Sequence, residues 1–147
     1  MMQHYLKTKE ELVKLLDLEE IIKIPVRQLS LGQRMRCEIV ASLLHKPQIL
    51  FLDEPTSGLD PGTERSIMKT LEKMARMGKT IILVTHNTLN LHLCDKVVFL
   101  GEGGKLCFVG KPSEALEFFE VDDFVDIYTL LNQNTTRWNK KFNESKY

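Results

Sequence analysis

Two short apolar runs constrain the fold of this chain more than any other feature. Residues 49–52 form one run between two prolines, and residues 80–85 form a second. An apolar run of this length is typical of a strand buried on both faces of a parallel sheet. A helical pattern separates the two runs, so we expect a βαβ unit with parallel strands inside an α/β fold.

Residues that can carry chemistry follow both predicted strands. Asp53 and Glu54 come directly after the first strand, and His86 follows the second. Because parallel strands end at the same edge of a sheet, we expect these three side chains to share one crevice. Adjacent carboxylates at the lip of a core need compensation, most simply by Mg²⁺ together with a nucleotide phosphate. An acidic strand-to-loop boundary without a function is the alternative.

Apolar spacing predicts three helices around these strands, over residues 8–18, about 30–45 and about 60–78. Each begins at a residue type that favours helix N-caps: Thr8, Ser30 and Asp60. A helix N-terminus that follows Ser and Gly can hold a phosphate oxygen, although an ordinary capped helix start is the simpler interpretation of Ser30.

The C-terminal part predicts smaller elements. They are a short helix over 88–94, a glycine-rich hairpin with strands 96–101 and 105–110, a helix capped by Ser113, and an amphipathic stretch over 124–131. From Asn132 the chain turns polar. We therefore expect the last residues to form a linker, or an arm that packs on something outside this chain.

Charge and composition exclude several classes of function. Lys+Arg 20 balances Asp+Glu 20, so we expect no nucleic-acid partner. Three widely spaced cysteines predict no disulfide framework, which is typical of a reducing compartment. No apolar run approaches the length of a membrane span.

Four elements occur in a specific order: Leu29–Gln33 (LSLGQ), the strand ending in Asp53–Glu54, Ser57–Asp60 (SGLD), and Thr85–His86. Asp53 follows Gly32 by 21 residues (53 − 32), and His86 follows Asp53 by 33 (86 − 53). In this order and spacing the chain strongly resembles the nucleotide-binding domain of ABC transporters. The elements look like its signature loop, Walker B strand, D-loop and switch histidine. The resemblance implies a partial P-loop-NTPase-like (RecA-like) parallel sheet with flanking helices and a C-terminal β-hairpin plus helices.

The resemblance also implies a role for each matched residue in binding and hydrolysing ATP. Asp53 would bind Mg²⁺ through water, Glu54 would act as the general base on the attacking water, and His86 would contact the γ-phosphate. The family forms a head-to-tail dimer with a second ABC ATPase domain. The residues implied to act across that interface are Ser30, Gly32, Gln33, Ser57 and Asp60.

Two departures from the family pattern stand out. Leu31 occupies a place where the family usually has glycine, and the GxxxxGK[ST] P-loop is absent from the chain. The Q-loop and the adenine-stacking strand of the family are not visible upstream of the signature either. We therefore expect the latter part of a nucleotide-binding domain, cut at its N-terminal side, with little or no ATP hydrolysis by itself.

The stretch from Asp95 to Phe119 resembles ATPases of the G-type (white-like) exporters and of bacterial transporters with forkhead-associated domains. This implies a helical-subdomain remnant over 1–28, a catalytic-core portion over 29–131 and a linker over 132–147 toward a transmembrane domain, at the cytoplasmic face of the membrane. A soluble, non-transport ABC ATPase is one alternative. The other is a non-enzymatic module that supplies its signature face to a complete partner.

Overall fold

A computed structural model describes the backbone of residues 2–145 and the side chains of residues 9–145. Within these residues the helices and strands follow in the order α1 (Met2–Leu15), α2 (Leu31–Leu43), β1 (Ile49–Asp53), α3 (Pro61–Arg76), β2 (Thr80–Val84), β3 (Val97–Leu100), β4 (Leu106–Gly110), α4 (Pro112–Phe119) and α5 (Phe124–Glu144). The chain divides into two compact units, a first unit up to His86 and a second unit from Asn87.

The first unit contains the predicted βαβ arrangement. Strands β1 and β2 pair in parallel, from Ile49 opposite Thr80 to Asp53 opposite Val84. Helix α3 connects them, with Pro61 at its first position, and Gly78 follows its end with a φ of +90°. The α/β fold and the parallel pairing of β1 with β2 are therefore confirmed. Pro61 at the start of α3 and Gly78 after its end are local signals for the boundaries of this helix.

The prediction that these strands are buried on both faces is wrong. Leu50 on one face of β1 is 7% exposed, whereas on the other face Ile49 is 50% and Phe51 71% exposed. In β2 the exposed fractions of Ile82 and Val84 are 42% and 58%. Successive side chains of a strand point to opposite faces, and the described residues cover only one face of this sheet.

Two predicted helix caps are also wrong. Helix α1 begins at Met2, so Thr8 lies inside it. Lys111 is the N-cap residue of α4 and Pro112 takes the first helical position, which leaves Ser113 inside the first turn. Proline is favoured at the first helical position because it has no N–H to satisfy, and here that preference sets the start of the helix.

The second unit is a hairpin packed against two helices. Strands β3 and β4 pair antiparallel, as the sequence predicts, and the expected helix over 88–94 is reduced to a 3-10 turn, Leu91–Leu93. The core is a cluster of aromatic rings in which Phe119 lies 4.9 Å from Trp138 and 5.7 Å from Phe99, centroid to centroid. Such edge and tilted contacts add to the stabilisation from buried area.

The predicted linker is instead a helix that packs on the second unit. Helix α5 continues to Glu144, with a kink at Asn134 (φ −158°, ψ 74°) whose Oδ1 accepts the N–H of Arg137 at 2.9 Å. Trp138 and Phe142 are 4% and 7% exposed. The apolar residues of this stretch therefore pack within the chain itself. Residues 146 and 147, the last of the predicted linker, lie outside the described residues.

None of the helices in residues 2–145 combines the length and the apolar character needed to cross a membrane.

Replacing Phe142 by alanine tests this packing. Its ring lies 6.0 Å from Phe108 and 6.1 Å from Phe118, so we expect Phe142→Ala to lower the unfolding free energy by about 3–5 kcal/mol. Trp138, the only tryptophan, reports the transition by fluorescence. Lys140→Ala, at an exposed position of the same helix, should change it by less than about 0.5 kcal/mol. Equal effects of both variants would show that this stretch is a linker.

Candidate ATPase site

The carboxyl edge of the parallel strand pair brings Glu54 beside His86. The N–H of Glu54 donates to the carbonyl oxygen of Val84 at 2.9 Å, which extends the strand pairing by one step. At Glu54 the backbone then turns, with a φ of +46°. This left-handed conformation is costly for a residue with a side chain, so it persists only where the surrounding structure enforces it.

The Glu54 carboxylate is held by the end of β2. Its Oε1 accepts the backbone N–H of His86 at 3.0 Å and lies 2.7 Å from His86 Nδ1. The Thr85 hydroxyl donates to Oε2 at 3.4 Å. An ionised Glu54 requires a proton on Nδ1 in this contact, so a neutral His86 ring presents Nε2 as an acceptor. The pair can thus hold and orient a proton-accepting carboxylate at an open edge.

Asp53 is exposed and stands one residue before this pair. Within the described part of the chain its carboxylate has no hydrogen-bond or ion-pair partner, and no group of three or more His, Cys, Asp or Glu side chains could hold a metal ion. Mg²⁺ commonly keeps several waters and binds proteins through one or two carboxylates, together with substrate phosphates. A single free carboxylate therefore fits a hydrated Mg²⁺ better than a dedicated cage of protein ligands.

Ser30 and Gln33 satisfy each other at the start of α2. The N–H of Gln33 donates to Ser30 Oγ at 3.3 Å, and the N–H of Ser30 donates to Gln33 Oε1 at 2.9 Å. This reciprocal capping box confirms Ser30 as the N-cap. Both side chains are therefore engaged within the helix start, and an approaching phosphate would have to compete with these two hydrogen bonds.

Two glycines allow the first turn of α2 to meet the first turn of α3 and the loop before it. A Cβ on Gly32 would lie 2.5 Å from Thr63 Cγ2, and a Cβ on Gly58, where φ is +74°, would lie 3.3 Å from Leu31 Cδ2. Leu31 itself is 50% exposed. The predicted signature and D-loop segments thus form one continuous surface of the first unit.

The loop that carries Ser57 and Asp60 starts from Glu54. The N–H of Ser57 donates to the carbonyl oxygen of Glu54 at 3.1 Å. Asp60 is the N-cap of α3, and its Oδ1 accepts the N–H of Thr63 at 3.0 Å. Hydrogen bonds from the Thr63 side chain and backbone lower the pKa of the Asp60 carboxyl.

Comparison with known proteins identifies the family. Residues 5–91 match a family described as "AAA domain, putative AbiEii toxin, Type IV TA system". An ABC transporter ATP-binding/permease protein of Mycobacterium tuberculosis is 39% identical over 116 residues, which is 79% of this chain and 13% of that protein. Protein white of Drosophila melanogaster is 42% identical over 103 residues, 67% of this chain and 15% of that protein.

A solved structure agrees. The structure of cbiO1 from Clostridium perfringens, described as part of the ABC transporter complex cbiONQ, superposes with a TM-score of 0.74 at 30% identity. The match covers 95% of this chain and 54% of that one. The chain belongs to the AAA domain family that its residues 5–91 match. It is an ATP-binding domain of the ABC transporter type. The toxin named in the description of the AAA family has no counterpart among these relatives.

The chain spans only a small part of the length of several ABC relatives, and about half of the length of cbiO1. Besides the two shares above, it covers 35% of Nod factor export ATP-binding protein I of Ralstonia nicotianae, to which it is 38% identical. These shares mean that the family membership applies to a domain. The activity and partners of the complete ABC proteins remain proposals for this chain.

The sequence predicted that Glu54 and His86 meet at one edge of the sheet, but it did not single out Thr85 as a contact of the carboxylate. The sequence could have predicted this contact. In a parallel pair that ends with Asp53 opposite Val84, the next residues, Glu54 and Thr85, are neighbours. The left-handed backbone of Glu54 had no such signal, since Pro55 follows it and the residue before proline normally adopts extended conformations.

The contact at Gly32 generates a double-variant prediction. Gly32→Ala should lower the unfolding free energy by about 1–3 kcal/mol, because the added Cβ overlaps the Thr63 methyl group. Thr63→Ser removes that methyl group, so Gly32→Ala in the Thr63→Ser background should cost clearly less. Urea unfolding of the four proteins gives the coupling. Additive effects would mean that the two helix starts do not touch.

The lowered pKa of Asp60 predicts a pH dependence. Its ionised form stabilises the fold, and this contribution is present above the ordinary pKa of 3.8 and is lost as the pH falls through the folded-state pKa. Asp60→Asn keeps a cap acceptor without the charge. We expect the stability difference between wild type and Asp60→Asn to shrink in acid, as measured by urea unfolding from neutral pH to below 3.8. A constant difference would contradict the assignment.

Proposed function

We propose that this chain is the carboxylate-bearing portion of an ABC transporter ATPase that couples ATP hydrolysis to export. The observation that carries the proposal is the Glu54 carboxylate, held by His86 through both its backbone N–H and its ring nitrogen at the carboxyl edge of a parallel strand pair. Ligands of open α/β sheets bind at this edge. Relatives named as ATP-binding and export proteins support transport rather than a non-transport ABC ATPase.

In this proposal the residues at the edge divide the work. Asp53 would hold Mg²⁺, which would neutralise phosphate charge. Glu54 accepts a proton from the attacking water, and His86 orients Glu54 through Nδ1. A ring protonated on both nitrogens donates its Nε2–H to the γ-phosphate. The residues proposed to act across a dimer of ATPase domains are Ser30, Gly32, Gln33, Ser57 and Asp60. Positioning and charge stabilisation of this kind account for most of the catalysis in phosphoryl transfer.

The proposed partners are a second ABC ATPase domain, arranged head to tail, and a transmembrane domain at the cytoplasmic face of the membrane. The description of cbiO1 as part of a transporter complex and the permease named in the mycobacterial relative support a membrane partner. We also propose that residues 1–28 correspond to a remnant of the helical subdomain, 29–131 to the catalytic core and 132–147 to the linker toward the membrane domain. In that division the last segment precedes a membrane domain while its helical part packs on the second unit.

The continuous signature and D-loop surface favours a second candidate function. Gly32 and Gly58 bring the starts of α2 and α3 together, and Ser30, Leu31 and Asp60 are exposed there. A surface of this kind could serve a complete ATPase domain of another chain without any hydrolysis by this one. The two candidates differ in one respect, since only the first requires Glu54 and Asp53 to act.

The absence of a P-loop predicts that the chain alone hydrolyses little or no ATP. Phosphate release by the purified chain with Mg²⁺ and ATP should equal that of Glu54→Gln, because nothing in the sequence cradles the β- and γ-phosphates. Mixing with a polypeptide that carries a P-loop should produce ATP-dependent association. Mg²⁺-dependent hydrolysis by the chain alone, abolished by Glu54→Gln, would overturn this expectation.

In a hydrolysing assembly that contains this chain, Glu54→Gln should lower the rate of phosphate release by about 10²–10⁴-fold, since it removes the general base. His86→Ala should lower it as well, because the ring holds Oε1 at 2.7 Å. His92→Ala is the matched control, an exposed histidine outside this edge. Hydrolysis that survives Glu54→Gln, with ATP-dependent association intact, would favour the second candidate.

A further inference from the structure

A pocket in the first unit lies away from the candidate ATPase site. Most of its lining is apolar: Leu12 and Leu15 of α1, Leu43 of α2, and Met74 and Met77 at the end of α3. Its volume is about 210 Å³. The two leucines of α1 are half-buried and Met77 is 68% exposed. The pocket therefore presents apolar surface that a ligand would remove from water.

The position of the pocket separates it from the carboxylates. Its two other lining residues, Lys46 and Lys79, precede β1 and β2, whereas Asp53 and His86 lie at the carboxyl ends of these strands. Strands of five residues place the two edges of the sheet roughly 15 Å apart. The proposed ATPase function therefore assigns no role to this pocket.

Hydrogen bonds fix both lysines at the pocket. The N–H of Lys46 donates to the carbonyl oxygen of Leu43 at 2.9 Å, and the N–H of Lys79 donates to that of Met74 at 3.3 Å. The Lys79 ammonium also donates to the carbonyl oxygen of Pro47 at 2.6 Å. Because an ammonium group carries three N–H donors, the bond to Pro47 leaves donors of Lys79 for a further acceptor.

The charge and the size of the pocket indicate the chemistry of its ligand. Of the described residues that line it, the two charged ones are both lysines, so a negative group is attracted and a positive group repelled. Methionine side chains adapt to ligands of irregular shape. An apolar cavity of about 150 Å³ holds benzene, so a pocket of about 210 Å³ accepts a short aliphatic chain.

We propose that this pocket binds a short aliphatic carboxylate. The aliphatic chain lies against the leucines of α1 and against Met74, and the carboxylate accepts a charge-assisted hydrogen bond from the Lys79 ammonium. Lys46 adds a second positive charge to the lining. Binding requires neither ATP nor the carboxylates at the other edge of the sheet, so the proposal is independent of the proposed ATPase function.

Two ligands of equal chain length and opposite charge test the proposal. Octanoate is the probe and octylamine is its matched control, and calorimetric titration of the full chain below their micelle-forming concentrations measures both affinities. Nuclear magnetic resonance of ¹³C-methyl-labelled methionine locates the site. The methyl signals of Met74 and Met77 should shift with octanoate, whereas Met68, buried in the same helix outside the pocket lining, should not shift.

We expect octanoate to bind about tenfold or more tightly than octylamine, because its bond to an ammonium group involves two charged partners. Met77→Asp should weaken octanoate binding by about tenfold or more, since it adds a negative charge to the lining. Val26→Asp is the matched control, at a position that is 58% exposed in the same unit and outside the pocket lining.

A lysine variant tests the carboxylate contact itself. Lys79→Met should abolish the preference for octanoate over octylamine, whereas Lys69→Met, at an exposed position of α3 outside the pocket lining, should retain it. Circular dichroism checks the fold of every variant. Met77→Asp gives an independent answer if Lys79→Met does not fold, because its position is exposed.

Three results would overturn the proposal. The first is the absence of saturable octanoate binding that shifts the methyl signals of Met74 and Met77. The second is equal affinity for octanoate and octylamine, which would leave the lysines as partners of the helix ends alone. The third is a dimer of the chain that Met77→Asp dissociates, which would assign the pocket to a second copy of the chain.

Discussion

The parallel pairing of β1 with β2 is the constraint on which the candidate site depends. The hydrogen bond from the Glu54 N–H to the Val84 carbonyl continues the register of the strands past their last paired residues. His86 is then within reach of the carboxylate without any other element. A shift by one residue would turn Glu54 and the side chains of β1 to the opposite face. Backbone hydrogen bonds therefore place the chemistry of this edge.

The same sheet has one face whose side chains are exposed within the described residues. The other face of the sheet packs within the first unit, while the exposed face leads along Ile49 and Phe51 to Asp53. The exposed carboxylate and the exposed apolar side chains therefore belong to one surface.

Local sequence signals predicted the elements whose determinants lie within a few residues. Ser30 and Asp60 cap their helices as expected, because each cap involves a backbone N–H three residues along the chain. Two expectations about burial, which depends on distant contacts, were wrong: that of strands buried on both faces and that of a C-terminal linker. The polar stretch after Asn132 looked like a linker, but Trp138 and Phe142 pack into the aromatic core of the second unit. The composition of this stretch is polar overall, because most of its residues lie on the exposed side of the helix. A helix needs only a stripe of apolar residues on one side to pack against a core.

By itself the sequence determined the ABC motif order, the helix caps around the signature and D-loop, and the α/β class, since these depend on local residue types and their spacing. Only the tertiary structure decided which strand faces are covered, how far α5 extends, and that Glu54 turns into a left-handed conformation to meet His86. Burial depends on the layers that pack from elsewhere, and no local pattern reports whether such a layer is present. The apolar strands therefore looked the same in sequence as fully buried ones, although one of their faces is open.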